Sequence, residues 1–237
     1  MLEISEQHIH MGFILDGNRR YAKKLMMEPW KGHEFGLEAL EKLLSWAKER
    51  SITEVTIYAF SIQNFNRPKH EFEYLMNLFK KAFKKMNDDP EDKVNKNRVR
   101  IRFLGRLDLF PKEIQVLCRE VESKTKDYDG YRLNICFGYG GREEIVDAVY
   151  QIARDVKDGK LLPTQVDEDL IDSYVYNSSK PDFIIRTGGD FRTSNFLPWQ
   201  SVYSEWFFLD KFFPEITEND LDSVLEDFKQ RERRFGK

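Results

Sequence analysis

Apolar residues along the chain follow two periodicities, one typical of strands and one typical of helices. Short apolar runs predict strands at residues 11–15, 54–60, 98–104, 131–137, 182–186 and 206–209. Apolar residues three and four positions apart predict helices near residues 37–47, 72–86, 112–126, 142–156 and 218–231. Strands that alternate with helices of this length favour an α/β fold with a mainly parallel central sheet flanked by helices.

The composition is that of a globular protein without a marked excess of charge. The 237 residues are 41% hydrophobic, and 38 Lys and Arg stand against 41 Asp and Glu, a net charge of −3. This balance gives no reason to expect nucleic acid as a partner, so any anion site must be local. The length is compatible with one domain, and we expect residues 1–237 to form it.

Cysteine usage and the apolar runs bear on the compartment. Neither Cys118 nor Cys136 belongs to a Cys-x-x-Cys pair, which favours a reducing compartment. Residues 1–10 lack the basic start and the apolar stretch of a signal peptide, and no apolar run reaches about 18 residues. We therefore expect a cytoplasmic protein whose contact with a membrane surface, if any, is peripheral.

Three predicted strands run into segments rich in arginine, hydroxyl and amide side chains. These are Asp-Gly-Asn-Arg-Arg at residues 16–20, Ser-Ile-Gln-Asn-Phe-Asn-Arg at 61–67 and Arg-Thr-Gly-Gly-Asp-Phe-Arg-Thr-Ser at 186–194. In an open parallel sheet, ligands bind beyond the carboxyl ends of the strands. The first two segments also have ordinary explanations, because an Asp-Gly turn can simply be solvated and Ser61 or Asn64 can cap the next helix. Those explanations do not account for an arginine at the same edge in each segment.

The residue types at these strand ends suit a phosphate-rich ligand. Arg186, Arg192 and Ser194 can contact several of its oxygens, together with backbone N–H groups around Gly188 and Gly189. In the first segment Asp16 can bind a hard cation, while Gly17 lets the backbone approach a ligand closely. We therefore predict a localised diphosphate site with Mg²⁺.

Two single residues near these segments have two interpretations each. Glu205 lies in an aromatic stretch, where an isolated carboxylate is costly, so we expect it to pair with Asp16 or with an arginine. His33 precedes a predicted helix, where an imidazole can donate to phosphate, although a lone histidine is more often structural.

An apolar stripe lies on the helix predicted near residues 72–86. Its members are Phe72, Leu75, Met76, Phe79, Phe83 and Met86. Such stripes are usually core, but the excess of Phe and Met would also suit a long apolar ligand. A polyanion site beside an apolar wall suggests a prenyl diphosphate substrate.

Five motifs carry a family resemblance. They are Asp-Gly-Asn-Arg-Arg-Tyr-Ala-Lys-Lys at residues 16–24, Tyr-Ala-Phe-Ser-Ile-Gln-Asn-Phe-Asn-Arg-Pro at 58–68, Leu-Asn-Ile-Cys-Phe-Gly-Tyr-Gly-Gly-Arg at 133–142, Ile-Arg-Thr-Gly-Gly-Asp-Phe-Arg-Thr-Ser-Asn-Phe-Leu-Pro-Trp-Gln at 185–200 and Arg-Glu-Arg-Arg-Phe-Gly at 231–236. On these motifs the sequence resembles the cis-prenyltransferases, the undecaprenyl and dehydrodolichyl diphosphate synthase family, over nearly its whole length.

The resemblance implies a reaction and an assembly. An allylic prenyl diphosphate would be condensed with isopentenyl diphosphate to a cis-polyprenyl diphosphate, with Mg²⁺ as cofactor. The same resemblance implies one catalytic domain over residues 1–237, a homodimer and an apolar tunnel for the growing chain, for which the stripe on residues 72–86 is the candidate wall.

The resemblance also assigns roles to residues. The expected catalytic residues are Asp16, Asn18, Ser61 and Asn64. Asn18 would assist removal of a proton, and Glu205 would help Asp16 to hold Mg²⁺. The residues expected to bind or position the substrates are Gly17, Arg20, His33, Arg67, Arg186, Arg192 and Ser194. Arg234 and Gly236 would reach the site of the partner subunit.

Three positions depart from the family pattern and leave substrate choice open. Gln63 stands where many members carry glutamate, Pro29 where an arginine often lies, and Arg19 where glycine is common. Two alternatives therefore remain. The chain could be a catalytically silent subunit of a two-component prenyltransferase, or another prenyl diphosphate or an alcohol could replace isopentenyl diphosphate as acceptor.

Residues 88–92 carry a motif that points elsewhere. Asp-Asp-Pro-Glu-Asp matches the Asp-Asp-x-x-Asp pattern by which trans-type prenyltransferases hold Mg²⁺. That pattern needs aspartates on one face of a helix, whereas Pro90 lies in a polar run and the motif occurs once. We interpret it as a loop that ends a helix.

Overall fold

A six-stranded sheet forms the centre of the computed structural model, which describes residues 8–231. Its strands are β1 (His10–Ile14), β2 (Glu54–Ser61), β3 (Arg100–Leu104), β4 (Arg132–Tyr139), β5 (Phe183–Arg186) and β6 (Glu205–Phe208). Across residues 8–231 the strand order is β3-β4-β2-β1-β5-β6, and neighbouring strands run parallel throughout. This confirms the predicted α/β class and its parallel sheet.

Helices connect the strands and flank the sheet. They are α1 (Asn18–Lys24), α2 (Gly32–Glu49), α3 (Lys69–Asp88), α4 (Lys93–Lys96), α5 (Lys112–Thr125), α6 (Gly141–Lys157), α7 (Glu168–Tyr174) and α8 (Glu218–Gln230). The periodicity does not predict α1 and α7, because seven residues are too few for a helical pattern to stand out. In the part of the chain described here, no helix has the length and apolar character needed to cross a membrane.

Strands β1 and β5 are buried along their full length. All five residues of β1 and all four of β5 are buried, and such strands read as continuous apolar runs because helices cover both faces of a parallel sheet. Aromatic rings fasten α3 to this sheet, since the ring of Phe137 on β4 lies 4.8 Å from that of Phe79 and 5.6 Å from that of Phe83. The helix that bears the apolar stripe is therefore held firmly against β4.

The acidic motif at residues 88–92 forms the turn between α3 and α4. The α3 helix ends at Asp88, and the Asp92 side chain caps α4 by accepting a 2.9 Å hydrogen bond from the Val94 N–H. No group of three or more potential metal ligands occurs within residues 8–231. The interpretation of this motif as a loop that ends a helix is confirmed.

The strand register brings three carboxyl ends to one edge of the sheet. Ile14 of β1 pairs with Tyr58 of β2 on one side and with Arg186 of β5 on the other. The three polar segments identified in the sequence therefore leave the sheet side by side, at the edge where parallel sheets bind ligands.

Candidate active site

A carboxylate and two guanidinium groups meet where β1 and β5 end. The Arg186 Nη2 atom donates to Asp16 Oδ2 at 2.8 Å, and Arg20 Nη2 donates to Asp16 Oδ1 at 3.1 Å. The Arg186 side chain is only 3% exposed, so its charge needs a partner within the protein. Asp16 supplies that partner and is itself held on both carboxylate oxygens.

The backbone of Asp16 is fixed from two sides. The Thr187 hydroxyl accepts from the Asp16 N–H at 3.1 Å and donates to the Asp16 carbonyl at 2.8 Å. Gly17 has φ +109°, and a Cβ there would lie 2.8 Å from the Phe212 Cα. Only glycine meets both conditions, so the turn after β1 is built to present the Asp16 carboxylate in one position.

The surroundings of Asp16 favour its charged form. Burial of the carboxyl raises its pKa, but the hydrogen bond and charge of Arg186, together with Arg20, outweigh burial and hold the pKa of Asp16 below its ordinary value. Asp16 is therefore an anion at neutral pH, with the hard oxygen atoms that Mg²⁺ prefers.

Arg186 also organises the loop that follows β5. Its Nη1 atom donates to Ser194 Oγ at 2.7 Å and to the Arg192 carbonyl. Asp190 joins the two loops, because its Oδ2 accepts from Arg192 Nη2 at 2.9 Å and from Arg20 Nη2 at 3.2 Å. The structure thus brings together the arginines and the serine that the sequence predicts as a diphosphate site.

One part of the sequence prediction for this loop is wrong. The Gly188 N–H donates to the Lys211 carbonyl at 2.6 Å and the Gly189 N–H to the Leu209 carbonyl at 3.1 Å, so neither is directed at a ligand. The Gly188 carbonyl instead accepts from Arg20 Nη1 at 2.7 Å. These glycines position the arginine rather than an anion.

A polar cavity opens above these side chains, with a volume of about 530 Å³. Its lining residues are Leu15, Asp16, Gly17, Asn18, Arg19, Arg20, Lys23, His33, Arg67, Asp190 and Arg192. Five basic side chains and two carboxylates give it an excess of positive charge. A wall of this kind in a protein of balanced net charge is suited to polyanions.

A buried carboxylate, Glu71, forms ion pairs with two arginines that line the polar cavity. Glu71 of α3 is 1% exposed and accepts from Arg67 Nη1 at 2.8 Å, while Arg19 Nε lies 3.5 Å from the same oxygen. His33 Nε2 accepts from Arg67 Nη1 at 3.1 Å, which leaves the imidazole proton on Nδ1. Burial, with the charges of Arg67 and Arg19, lowers the pKa of His33 to about 3.

We expect His33 to make stability fall in acid. The folded protein keeps His33 neutral, whereas the unfolded chain binds a proton there below about pH 6.5. The free energy of unfolding should therefore decrease as the pH falls from about 6.5 towards 4, and the His33→Gln variant should show a shallower decrease. Urea denaturation at a series of pH values measures both slopes. The matched control is His70→Gln on the exposed surface of α3, and equal slopes for wild type and His33→Gln would contradict the assignment.

Asn18 presents a buried acceptor at the inner end of the cavity. Its Nδ2 atom donates weakly to the Leu15 carbonyl at 3.4 Å, and its Oδ1 has no hydrogen-bond partner within the described chain. A buried polar atom left without a partner is costly, so a ligand group that donates to Oδ1 would be favoured at this position.

Ser61 and Asn64 make the capping interaction that was the ordinary explanation for them. The Ser61 N–H donates to Asn64 Oδ1 at 3.0 Å, so the Asn64 side chain caps the start of the 3₁₀ turn Ile62–Asn66. Asn64 in addition lines a cavity beside the polar one. Asn64 thus both caps the turn and forms part of a cavity wall.

Two smaller cavities lie beside the polar cavity, with residues of both α2 and α3 in their walls. The middle cavity, of about 160 Å³, shares Leu15, Asn18, His33 and Arg67 with the polar cavity. The remaining lining residues of the middle cavity are Gly36, Leu37, Leu40, Tyr58, Ala59, Asn64, Leu75, Leu78, Phe79 and Ala82. The distal cavity, of about 120 Å³, shares Leu37, Leu40 and Ala82 with the middle one. A positively charged cavity and two mainly apolar ones therefore lie next to one another, each sharing lining residues with its neighbour.

A family model described as putative undecaprenyl diphosphate synthase matches residues 14–236. The chain belongs to this family of cis-prenyltransferases.

Relatives of this prenyltransferase are similar over almost the whole chain. The tritrans,polycis-undecaprenyl-diphosphate synthase (geranylgeranyl-diphosphate specific) of Thermococcus kodakarensis is 46% identical over 230 residues, which cover 96% of this chain and 86% of that protein. The isoprenyl transferase of Thermus thermophilus is 44% identical over 234 residues, which cover 96% and 88%. The crystal structure of lavandulyl diphosphate synthase from Lavandula x intermedia with dimethylallyl diphosphate has a TM-score of 0.89 at 30% identity and covers 96% of this chain and 98% of that one.

The apolar stripe of this prenyltransferase is divided between cavity wall and core. Leu75 and Phe79 line the middle cavity. Phe72, Met76 and Phe83 are not on the walls of these cavities and pack with the core. The opposite wall comes from leucines of α2, which the sequence shows as an ordinary amphipathic stripe and which were not singled out.

The structure does not bring Glu205 to Asp16. Glu205 begins β6, paired with Phe183 at the start of β5, whereas Asp16 lies beyond the opposite end of the sheet near Arg186. The start and the end of β5 are three residues apart, which corresponds to about 10 Å along the strand. Arg231 Nη1 instead donates to Glu205 at 2.5 Å. The expected metal pair is wrong within one chain, and the alternative of an arginine partner is confirmed.

Two predicted residues lie outside the described part of the chain, and some residues of the cavity wall were not predicted as site residues. Arg234 and Gly236 lie outside the described residues. Lys23 and Asp190 line the polar cavity although sequence reasoning gave them no role, and Arg19 lines it although it was noted only as one of two arginines after the first strand. The spacing of Arg19 and Lys23, four positions apart, was a usable signal, because it places both on one face of α1.

Proposed function

We propose that this prenyltransferase condenses an allylic prenyl diphosphate with isopentenyl diphosphate to form a cis-polyprenyl diphosphate, with Mg²⁺ as cofactor and residues 1–237 as one catalytic domain. The observation that supports the proposal is that a positively charged cavity and a mainly apolar one share four lining residues. A diphosphate head and an apolar tail require those two environments next to each other.

We propose two separate diphosphate positions. A substrate whose tail enters the middle cavity must place its diphosphate where the two cavities join, near Arg67 and His33. This favours the allylic substrate there, with Arg20 across the chamber. Isopentenyl diphosphate, whose short chain needs no channel, fits the loop of Arg192 and Ser194.

The same residues suit the chemistry of the transfer. A departing diphosphate gathers negative charge, and arginines already fixed by Asp16, Asp190 and Glu71 stabilise that charge without reorganising. Asn18 lines both the polar and the middle cavity, and its Oδ1 has no partner within the described chain, so we propose that it assists removal of the proton. Apolar walls beyond the junction keep water from an allylic cation.

The site fits a magnesium ion held mainly by its substrate. Mg²⁺ commonly binds one or two carboxylates together with substrate phosphates and water. Asp16 is ionised, and Asp190 shares the Arg20 Nη2 atom with it at 3.2 Å. Bound there with the substrate, the ion would supply charge stabilisation for the leaving diphosphate.

The assembly and the compartment are parts of the same proposal. We propose a homodimer, supported by the exposed apolar side chains Phe191 (82%) and Val202 (68%) on the segments next to β6, which is an edge strand of the described sheet. Two buried free cysteines agree with a cytoplasmic protein. Contact with a membrane surface would be peripheral and would serve the release of an apolar product.

The test is an assay of the purified protein alone with Mg²⁺ and labelled isopentenyl diphosphate. Geranylgeranyl diphosphate is the first allylic substrate to try, since a relative that is 46% identical is named as specific for it. We expect labelled prenyl diphosphates that grow by five-carbon units. Lack of product until a second protein is added would instead identify a silent subunit.

A second candidate keeps the enzyme and changes the acceptor. The lavandulyl diphosphate synthase, solved with dimethylallyl diphosphate, shares the fold at a TM-score of 0.89. Dimethylallyl diphosphate and a prenyl alcohol therefore belong in the acceptor panel. Products with those acceptors and none with isopentenyl diphosphate would favour this candidate.

We expect Ala82→Phe to shorten the products. Ala82 lines both the middle and the distal cavity, so an added ring there blocks the path between them. The first condensation should persist while later additions fail, as measured by the chain lengths of labelled products. Overpacking should also cost about 1–3 kcal/mol of stability. Ala153→Phe, on the exposed surface of α6, is the control, and unchanged products from Ala82→Phe would exclude this path.

A further inference from the structure

The connection between α1 and α2 exposes apolar side chains beside the polar cavity. Residues 25–30, Leu-Met-Met-Glu-Pro-Trp, contain a single charged side chain, and we call them the apolar loop. Met26 is 98% exposed and Leu25 44%, and Met26 is the most exposed large apolar residue in the described part of the chain. Lys23 before the loop and His33 after it both line the polar cavity. The apolar loop is therefore a neighbour of the candidate active site.

The backbone holds Met26 in an unfavourable conformation. The Met27 N–H donates to the Ala22 carbonyl at 2.9 Å and the Met26 N–H to the Lys23 carbonyl at 3.0 Å, which is the Schellman motif at the end of α1. Met26 occupies the position where glycine is usual, and its φ of +58° is left-handed. Because the side chain is almost fully exposed, no packing within the described chain offsets this strain. A strained residue of this kind points to a contact outside the chain.

Positive charge flanks the apolar loop. Lys23 precedes it and Lys31 follows it, and both side chains are exposed. Neither ammonium group has an ion-pair or hydrogen-bond partner within residues 8–231, whereas the neighbouring Lys24 pairs with Glu215 at 2.6 Å. Exposed apolar side chains between two such lysines suit a surface that offers anionic groups above an apolar layer.

Trp30 fixes the end of the apolar loop and has the character of an interfacial residue. Its ring lies 4.8 Å from that of His70 on α3, so the loop is already ordered before it meets a partner. Tryptophan is enriched where lipid headgroups meet the hydrocarbon layer, because its ring is apolar and its N–H is polar.

The size of the apolar loop favours a bilayer over a folded protein as its partner. A standard protein interface buries about 800 Å² on each side, more than six residues supply. Insertion into a membrane surface needs only a few apolar side chains together with attraction of basic residues to anionic lipids. Charge complementarity therefore selects a bilayer with anionic headgroups.

We propose that the apolar loop docks the enzyme on a bilayer that carries anionic lipids. Leu25 and Met26 enter the boundary between headgroups and acyl chains, while Lys23 and Lys31 are attracted to the negative surface. This inference rests on the proposed function, since substrates with a diphosphate head and an apolar tail would pass between the bilayer and the adjacent polar cavity. It specifies the face of the molecule that makes the peripheral contact.

Vesicle sedimentation with the full chain tests this docking surface. The probes are phosphatidylcholine vesicles with and without about 30% phosphatidylglycerol. We expect the wild type to bind the anionic vesicles, with an affinity that falls as salt screens the lysines. The Leu25→Ser/Met26→Gly variant should bind them about tenfold more weakly. Equal binding by wild type and variant, or equal binding of wild type to both kinds of vesicle, would overturn the proposal.

Two further variants separate docking from folding. Leu162→Ser/Val166→Ser removes apolar side chains that are 63% and 42% exposed between α6 and α7, and vesicle binding should not change. Met26→Gly alone should raise the melting temperature, because glycine fits the left-handed position, while vesicle binding falls. A lower melting temperature for Met26→Gly would show that the methionine serves the fold and would contradict the argument from strain.

A fluorescent label at position 26 gives an independent readout. Cys118 and Cys136 are buried, so the Met26→Cys variant can be labelled selectively with an environment-sensitive dye. Its emission should shift to the blue on anionic vesicles, whereas a label on Leu162→Cys should not respond. An unchanged spectrum of the Met26→Cys label in vesicle-bound protein would place the contact elsewhere on the molecule and refute the proposal.

The outcomes separate this inference from the function itself, because vesicle binding needs no turnover. A protein that docks through the apolar loop but forms no prenyl product with any acceptor would refute the proposed function alone. An active enzyme that does not sediment with vesicles would refute the docking alone. Unchanged vesicle binding with loss of the first condensation in vesicle-free buffer, in Leu25→Ser/Met26→Gly, would show that the loop acts on the substrate and would also overturn the proposal.

Discussion

Asp16→Asn is expected to lower kcat by about a thousandfold while the protein stays folded. The amide keeps an oxygen that accepts the Arg186 hydrogen bond but loses the negative charge that a cation needs at this position. Steady-state kinetics with Mg²⁺, and thermal unfolding of the same samples, measure the two effects. Asp16→Ala is the poorer choice, because it leaves the buried Arg186 without its carboxylate, at roughly 3 kcal/mol of stability.

The control for Asp16→Asn is Asp147→Asn. Asp147 lies on α6, and its side chain is 28% exposed, as is that of Asp16. It pairs with Arg106 at 2.7 Å. It does not line the polar cavity. A comparable loss of kcat in both variants would show that the effect belongs to lost ion pairing, and retained activity in Asp16→Asn would move the chemistry away from Asp16.

The fold and the convergence of loops could be predicted from the sequence, for identifiable reasons. Strands buried on both faces appear as uninterrupted apolar runs, and parallel strands send their carboxyl ends to one edge. Arg186 ends β5 and Asp16 lies two residues beyond β1, so their meeting follows from topology alone. Short helices such as α1 escape this reasoning, and with α1 the positions of Arg19 and Lys23 in the cavity wall were missed.

The errors arose where position along a strand decides the outcome. Glu205 is the first residue of β6. The strand register pairs it with the beginning of β5, whereas Asp16 lies near the end of β5. The N–H groups of Gly188 and Gly189 are consumed by residues 209–211, a contact between segments that periodicity does not show. Phe83 is likewise core because of the rings that α3 meets on β3 and β4. Each case depends on tertiary neighbours.

Arg192→Ala is expected to raise the KM for isopentenyl diphosphate by about a hundredfold, since a charged hydrogen bond to phosphate contributes about 3 kcal/mol. The Arg192 side chain is 61% exposed, and its Nη2 atom is bonded to Asp190 at 2.9 Å, so its loss should leave stability nearly unchanged. The KM for the allylic substrate should change much less, because that diphosphate is proposed to lie at the opposite end of the polar cavity.

The assignment of the two diphosphate positions is tested by comparing two KM values in the Arg192→Ala variant. Initial rates with either substrate varied at saturating levels of the other give both constants. Arg154→Ala, an exposed arginine of α6, controls for the loss of a surface charge. A rise in the allylic KM with an unchanged KM for isopentenyl diphosphate would exchange the two positions. That exchange would place the allylic head at the loop after β5, where its tail would have to cross the whole chamber to reach Leu37 and Phe79.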